Sequence, residues 1–89
     1  MEKIVVAIGG NAISKANKEL ENVCKQIALL IEKDSKIALT HGNGPQVGEL
    51  LLSFEKANQK ITLDVVVAMT QAQIGYEIQT LLQNFLGKD

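Results

Sequence analysis

The stretch His41-Gly42-Asn43-Gly44-Pro45-Gln46-Val47-Gly48 constrains this chain more than any other part of it, because it turns the end of a strand into the start of a helix. Lys36 to Thr40, built around Ile37, Ala38 and Leu39, predicts a short strand. Gly42, Asn43 and Gly44 then supply residues that tolerate the unusual dihedrals of a reversal. Pro45 has the fixed φ and missing N–H that suit a first helical position, and Val47, Leu50, Leu51 and Phe54 follow at helical spacing. Strand, glycine turn and helix N-terminus in that order aim unpaired backbone N–H groups and the positive end of a helix dipole at one point. A phosphate or carboxylate can be held there without a cationic side chain.

A second turn of this kind opens the chain. Ile4-Val5-Val6-Ala7-Ile8 is a continuous apolar run, which predicts a strand covered on both faces, and it stops at Gly9-Gly10-Asn11. Two such turns at the carboxyl ends of neighbouring parallel strands face one crevice, the place where open α/β sheets bind ligands. Taken alone, Gly9-Gly10 is equally explained as a tight turn without a ligand. The common phosphate fingerprints do not apply. Gly42-x-Gly44-x-x-x-Gly48 has one residue too many for a dinucleotide motif, and no Gly-Lys-Ser/Thr follows either turn as a P-loop needs.

The order of elements reads strand (3–8), helix (about 18–33), strand (36–40), helix (45–57) and a long helix (about 63–86). Strand, crossover helix and strand form a βαβ unit with parallel strands. Ala57-Asn58-Gln59-Lys60 is the polar break between the last two helices. Val65-Val66-Val67 is locally strand-like, yet Thr62 or Asp64 can cap a helix there, Ile74, Ile78, Leu81 and Phe85 continue at helical spacing, and Gly87 can close it.

With 89 residues the chain is one domain with a modest core. Hydrophobic residues make up 46% of it and aromatic ones only 3%, so that core is aliphatic. Nine basic and ten acidic residues leave a net charge of −1, which predicts neither nucleic acid nor an anionic membrane as a partner. The lone Cys24 excludes an internal disulfide and lies on the helix whose stripe is Leu20, Val23, Ile27, Leu30 and Ile31, where a thiol behaves as a small hydrophobe. With no signal-like leader and no span of membrane length, the expectation is a cytoplasmic protein.

Other polar residues carry two readings. His41 either donates to a bound oxyanion or anchors its own loop. Gln71, Gln73, Gln79 and Gln83 read as the solvated part of a helix, or as glutamines bonding across a helix pair near Gly75. A glycine within a helix is about 1 kcal/mol worse than alanine, so Gly75 predicts the close approach of another backbone. Glu49, Glu55 and Glu77 have no spacing that suits paired catalytic carboxylates, and one His with one Cys falls short of a structural zinc site.

Three ordered blocks carry a family resemblance: Val5 to Ala12, Thr40 to Gly48, and Leu63-Asp64 with Ala68-Met69-Thr70-Gln71-Ala72-Gln73-Ile74-Gly75-Tyr76. Together they resemble the amino-terminal part of the carbamate kinases, within the wider amino-acid kinase family. Acetylglutamate kinase shares the first two blocks more loosely. Several relatives carry a lysine on the first strand where this chain has Ala7, and acetylglutamate kinase has a glycine where this chain has Asn43. Between Asn11 and Asn22-Val23 the chain is several residues shorter than the family pattern.

The resemblance implies an α/β fold, a βαβαα fragment of a three-layer αβα kinase fold. It implies phosphoryl transfer between carbamoyl phosphate and ADP, giving ATP and carbamate, as in arginine catabolism. On that model Gly9, Gly10 and Asn11 contact the phosphoryl group, while His41, Gly42, Asn43 and Gly44 hold the carbamate end. ATP or ADP with Mg²⁺ serves the full-length family through a carboxyl-terminal half, so no tight cofactor binding and no complete catalytic set is expected in these residues. The family also implies a homodimer, to which the apolar circumference of the last helix contributes. A non-catalytic anion-binding or interaction module is the alternative from another class, and another amino-acid kinase such as acetylglutamate kinase is the alternative within the family.

Overall fold

The structure is a computed structural model that describes residues 2–9, 13 and 18–87. Its elements are β1 (Lys3–Ile8), α1 (Lys18–Glu32), β2 (Lys36–His41), α2 (Gln46–Lys56) and α3 (Leu63–Leu86). The α/β order matches the expectation, and β1 and β2 pair in parallel, with Lys3 beside Lys36 and Ile8 beside His41. His41 therefore belongs to the strand, one residue beyond the expected end at Thr40. Its side chain takes the inward parity of Ile37 and Leu39.

The apolar run at 4–8 predicted a strand covered on both faces, whereas among the described residues one face of the strands is covered. Exposure alternates along β1, so that Ile4, Val6 and Ile8 are at least partly buried while Val5 and Ala7 face outward, Val5 at 74% exposure. A continuous apolar strand is covered twice only when helices lie on both sides of its sheet. Here α1 and α3 pack against each other on the inward face, and α2 packs on α3. The core is Ile8, Ile13, Leu20, Cys24, Ile27, Ile74 and Ile78, with Val6, Ile37, Leu39 and Leu81 against it. Burying each of these large aliphatic side chains contributes about 1.5–3 kcal/mol. A two-stranded sheet is marginal by itself, so this helical layer stabilises it. Burial pushes the Cys24 thiol above its ordinary pKa, in keeping with a structural core residue.

Helix ends follow local chemistry. α1 and α2 each end in a residue with left-handed backbone, Asp34 at φ 67° and Asn58 at φ 58°. In both, the left-handed residue and its successor donate to carbonyls of the last turn: Asp34 to Ile31 and Ser35 to Leu30, Asn58 to Glu55 and Gln59 to Phe54. That double bond satisfies two orphan carbonyls without a glycine. Gly87 closes α3 at φ 66°, its N–H donating to Gln83, as expected. α3 buries Val66, Thr70, Ile74 and Ile78, one residue every four, whereas Phe85 from the expected stripe is 38% exposed.

Thr62 occupies the N-cap of α3 in extended backbone. Its hydroxyl, with the N–H groups of Val65 and Asp64, holds the Asp64 carboxyl below the ordinary carboxylate range. A depressed folded value gives stability that is present above the unfolded pKa and lost as pH falls through the folded one. Lowering the pH from neutral to roughly 3, below the usual aspartate value, is thus expected to erode the urea midpoint more in the parent chain than in Asp64→Asn. Equal erosion in the two chains would remove Asp64 from the account.

Candidate functional site

The in-register pairing of Ile8 with His41 brings Gly9 and the Gly42–Gly44 turn to the same end of the sheet. Gly10 and Asn11 lie outside the described residues. Gly9 is exposed, has no left-handed φ, and a Cβ there would meet nothing within 4 Å. The same holds for Gly42, so of the three turn residues expected to need unusual dihedrals only Gly44 does, with φ +58°. A Cβ on Gly44 would stand 2.7 Å from Gln46 Oε1 and 3.2 Å from Ile13 Cγ1. The left-handed conformation therefore favours glycine there, and a Cβ would also press on the end of the Gln46 side chain and on Ile13.

Pro45 is the N-cap of α2 rather than its first helical residue, at φ −72° and ψ −10°. Its carbonyl accepts from the Glu49 N–H at 3.1 Å, and Pro45 offers no side-chain cap of its own. The N–H groups of Gln46, Val47 and Gly48 precede the first intrahelical bond, which leaves three backbone donors and the positive end of an 11-residue helix at the mouth of the turn.

Side chains of the motif serve mainly to hold this turn. Nδ1 of His41 donates to the Gly42 carbonyl at 2.9 Å, and its Nε2 lies 3.5 Å from where a Cβ on Gly75 would stand. This is the loop-anchoring geometry of the two readings open for His41. Among the described residues the group within 4 Å of a Cβ on Gly75 is the His41 ring. Asn43 Nδ2 donates to Thr70 Oγ1 at 2.7 Å and to the Val67 carbonyl at 3.1 Å, while its Oδ1 accepts from Gln71 Nε2. Gln46 Nε2 donates to the Ile13 carbonyl at 2.6 Å, tying the start of α2 to the segment after β1.

Thr70, Gln71 and Gln46 escaped the sequence reading as parts of the site. The signal for Thr70 was a hydroxyl at a buried position in the Val66, Ile74, Ile78 stripe, where a polar group needs a partner. Gln71 is exposed and does belong to the solvated side of α3, but it reaches Asn43 from there. Glu49, Glu55 and Glu77 lie apart on α2 and α3. Among the described residues no three His, Cys, Asp or Glu side chains converge as a metal site would need, and no helix is long and apolar enough to cross a membrane.

The glycines of the turn are separable by substitution. Gly44→Ala is expected to lower unfolding stability by about 2 kcal/mol, through left-handed strain and displacement of Gln46 from Ile13. Gly42→Ala, with open space and no left-handed φ, is expected to stay within about 0.5 kcal/mol of the parent chain in urea unfolding. Equal losses in the two variants would contradict this assignment.

Comparison with known proteins agrees with the geometry. The amino acid kinase family model matches residues 2–87. Carbamate kinases of Thermococcus kodakarensis and Pyrococcus horikoshii are 43% and 41% identical over 99% and 98% of the chain, covering 33% and 32% of those proteins. Carbamate kinase 3 of Staphylococcus aureus is 42% identical over 97% of the chain and 31% of its own length. A crystal structure of a protein from Aeropyrum pernix K1 superposes with a TM-score of 0.83 at 32% identity, over 96% of this chain and 31% of that one. The chain spans about a third of the length of these relatives. The Thermococcus match runs over 103 positions against 89 residues here, so within the matched span that relative carries residues this chain lacks. By sequence and by fold, the chain belongs to the amino acid kinase family.

Proposed function

We propose that this chain forms the oxyanion-holding, amino-terminal part of a carbamate kinase-like site, acting in phosphoryl transfer between carbamoyl phosphate and ADP. The observation that carries this reading is the start of α2 behind the left-handed Gly44, with the N–H groups of Gln46, Val47 and Gly48 unclaimed by the helix. The relatives that bear the name carbamate kinase support carbamoyl phosphate as the substrate class. In the reaction the bond between phosphorus and the carbamate oxygen breaks as a bond to a terminal ADP oxygen forms, giving ATP and carbamate. Such transfer rests on positioning and on stabilising the charge of the moving oxygens, work that fixed backbone donors suit.

On this reading the backbone of Gly42, Asn43 and Gly44 and the first turn of α2 hold the carbamate end. His41 and the side chain of Asn43 hold the turn itself. Gly9, with Gly10 and Asn11, meets the phosphoryl group. Among the described residues no three His, Cys, Asp or Glu side chains converge as a metal site would need, and on this reading Mg²⁺ and the nucleotide belong to the carboxyl-terminal half that the family resemblance implies. The buried, unpaired thiol of Cys24 supports a reducing, cytoplasmic setting.

Two measurements test this. The 89-residue polypeptide is expected to form no ATP from carbamoyl phosphate and ADP in a coupled assay, and turnover at ordinary enzyme rates would refute the division of labour. Inorganic phosphate or carbamoyl phosphate is expected to shift the amide resonances of Gly9, Gly42, Gly44 and Gln46 in an NMR titration. Amides that stay still up to tens of millimolar, roughly the range of weak anion binding, would remove the site.

The reading includes a two-fold homodimer. Leu63, Val65, Met69 and Tyr76 of α3 and Leu52 of α2 are exposed, Tyr76 at 70%, and a second copy would cover such apolar side chains. Sedimentation equilibrium at micromolar concentration is expected to return twice the mass of one chain. A folded species with the mass of one chain would refute the dimer.

A further inference from the structure

α3 reaches the glycine turn through a single side chain of that turn. Both hydrogens of Asn43 Nδ2 go to α3, one to Thr70 Oγ1 at 2.7 Å and one to the Val67 carbonyl at 3.1 Å, and Gln71 Nε2 donates to Asn43 Oδ1. Thr70 Oγ1, an acceptor toward Asn43, spends its own hydrogen on a carbonyl of its preceding turn, Val66 or Val67, each 3.1 Å away. Thr70 is 0% exposed, so its hydroxyl depends on protein partners rather than on water. A side chain gripped at both ends fixes the backbone of its own residue. Gly44 follows immediately, and the donors of α2 follow Gly44.

We propose that Thr70 is a positioning residue for the anion site, with Gln71 as its outer support. By holding Asn43, Thr70 sets the direction in which the Gly44 turn and the first N–H groups of α2 point. The ligand in this statement rests on the function proposed above; the mechanical link does not. Valine would match the shape of threonine but leave the Asn43 amide nitrogen with the Val67 carbonyl alone, one hydrogen short of its Thr70 partner at a half-buried position. Serine would keep the hydroxyl.

The test compares the parent chain with Thr70→Val, Thr70→Ser and Gln71→Ala, reading ¹⁵N relaxation and hydrogen exchange at Gly44 and Gln46 together with inorganic phosphate titration. Thr70→Val is expected to mobilise Gly44 and to weaken phosphate binding about tenfold, the factor that corresponds to one lost hydrogen bond. Thr70→Ser is expected to restore both to within about twofold, a rescue that loss of packing would not show. Gln71→Ala removes one bond from an exposed position without touching the core, and is expected to mobilise Gly44 in the same sense should Thr70→Val fail to fold. A parent chain that ignores phosphate would refute the anion site, while the positioning role is then judged on Gly44 mobility alone. Gly44 and Gln46 as rigid in the folded Thr70 and Gln71 variants as in the parent would overturn the proposal.

Discussion

The parallel pairing of β1 with β2 is the constraint on which the rest of the molecule depends. Because Ile8 lies beside His41, both strands end at one level, and both glycine segments leave the sheet from the same edge. The same register sets the inward face, Ile4 with Ile37, Val6 with Leu39 and Ile8 with His41, which α1 and α3 cover. A slip of one residue would turn every one of these side chains outward and carry His41 away from Gly75. The site and the core are thus two consequences of one pairing.

α3 joins those two consequences. Its Ile74 and Ile78 fill the core, while one turn earlier its Thr70 holds the turn through Asn43. Core packing and site geometry are therefore coupled along a single helix, with the His41 ring beside Gly75 between them. The motif residues consequently divide by what their atoms do. Gly44 and the start of α2 offer backbone, while the side chains of His41, Asn43 and Gln46 brace it against Gly42, α3 and Ile13. Backbone donors suit oxyanions because their direction is set by the fold and their geometry changes little as charge moves.

What the chain leaves uncovered is as informative as what it buries. Val5 and Ala7 on β1 face outward with Ala38 and Thr40 of β2, and the described residues place no helix on that side. The sequence of β1, apolar at every position from Ile4 to Ile8, has the composition of a strand covered twice. The described residues provide two layers of the three that the family resemblance implies, in keeping with a chain that spans about a third of the relatives it matches.

Local chemistry by itself determined the elements. Apolar runs, the 3.6-residue spacing and breakers at Pro45, Asn58 and Gly87 were sufficient, because each acts within a few residues of its own position; their ends shifted by no more than a residue or so, as when His41 joined β2. The glycine turn before a helix was equally legible, since a helix N-terminus presents its backbone donors wherever it lies. Tertiary structure decided which atoms serve. Nothing near Asn43 in the chain foretells that its side chain is occupied by Thr70 and Gln71, 27 and 28 residues onward, nor that an imidazole 34 residues back stands beside Gly75. Those facts depend on where α3 lies across the end of β2. That placement comes from burying Val66, Thr70, Ile74 and Ile78 along one line, and hydrophobic burial, being non-directional, fixes such a line only once the whole core is assembled.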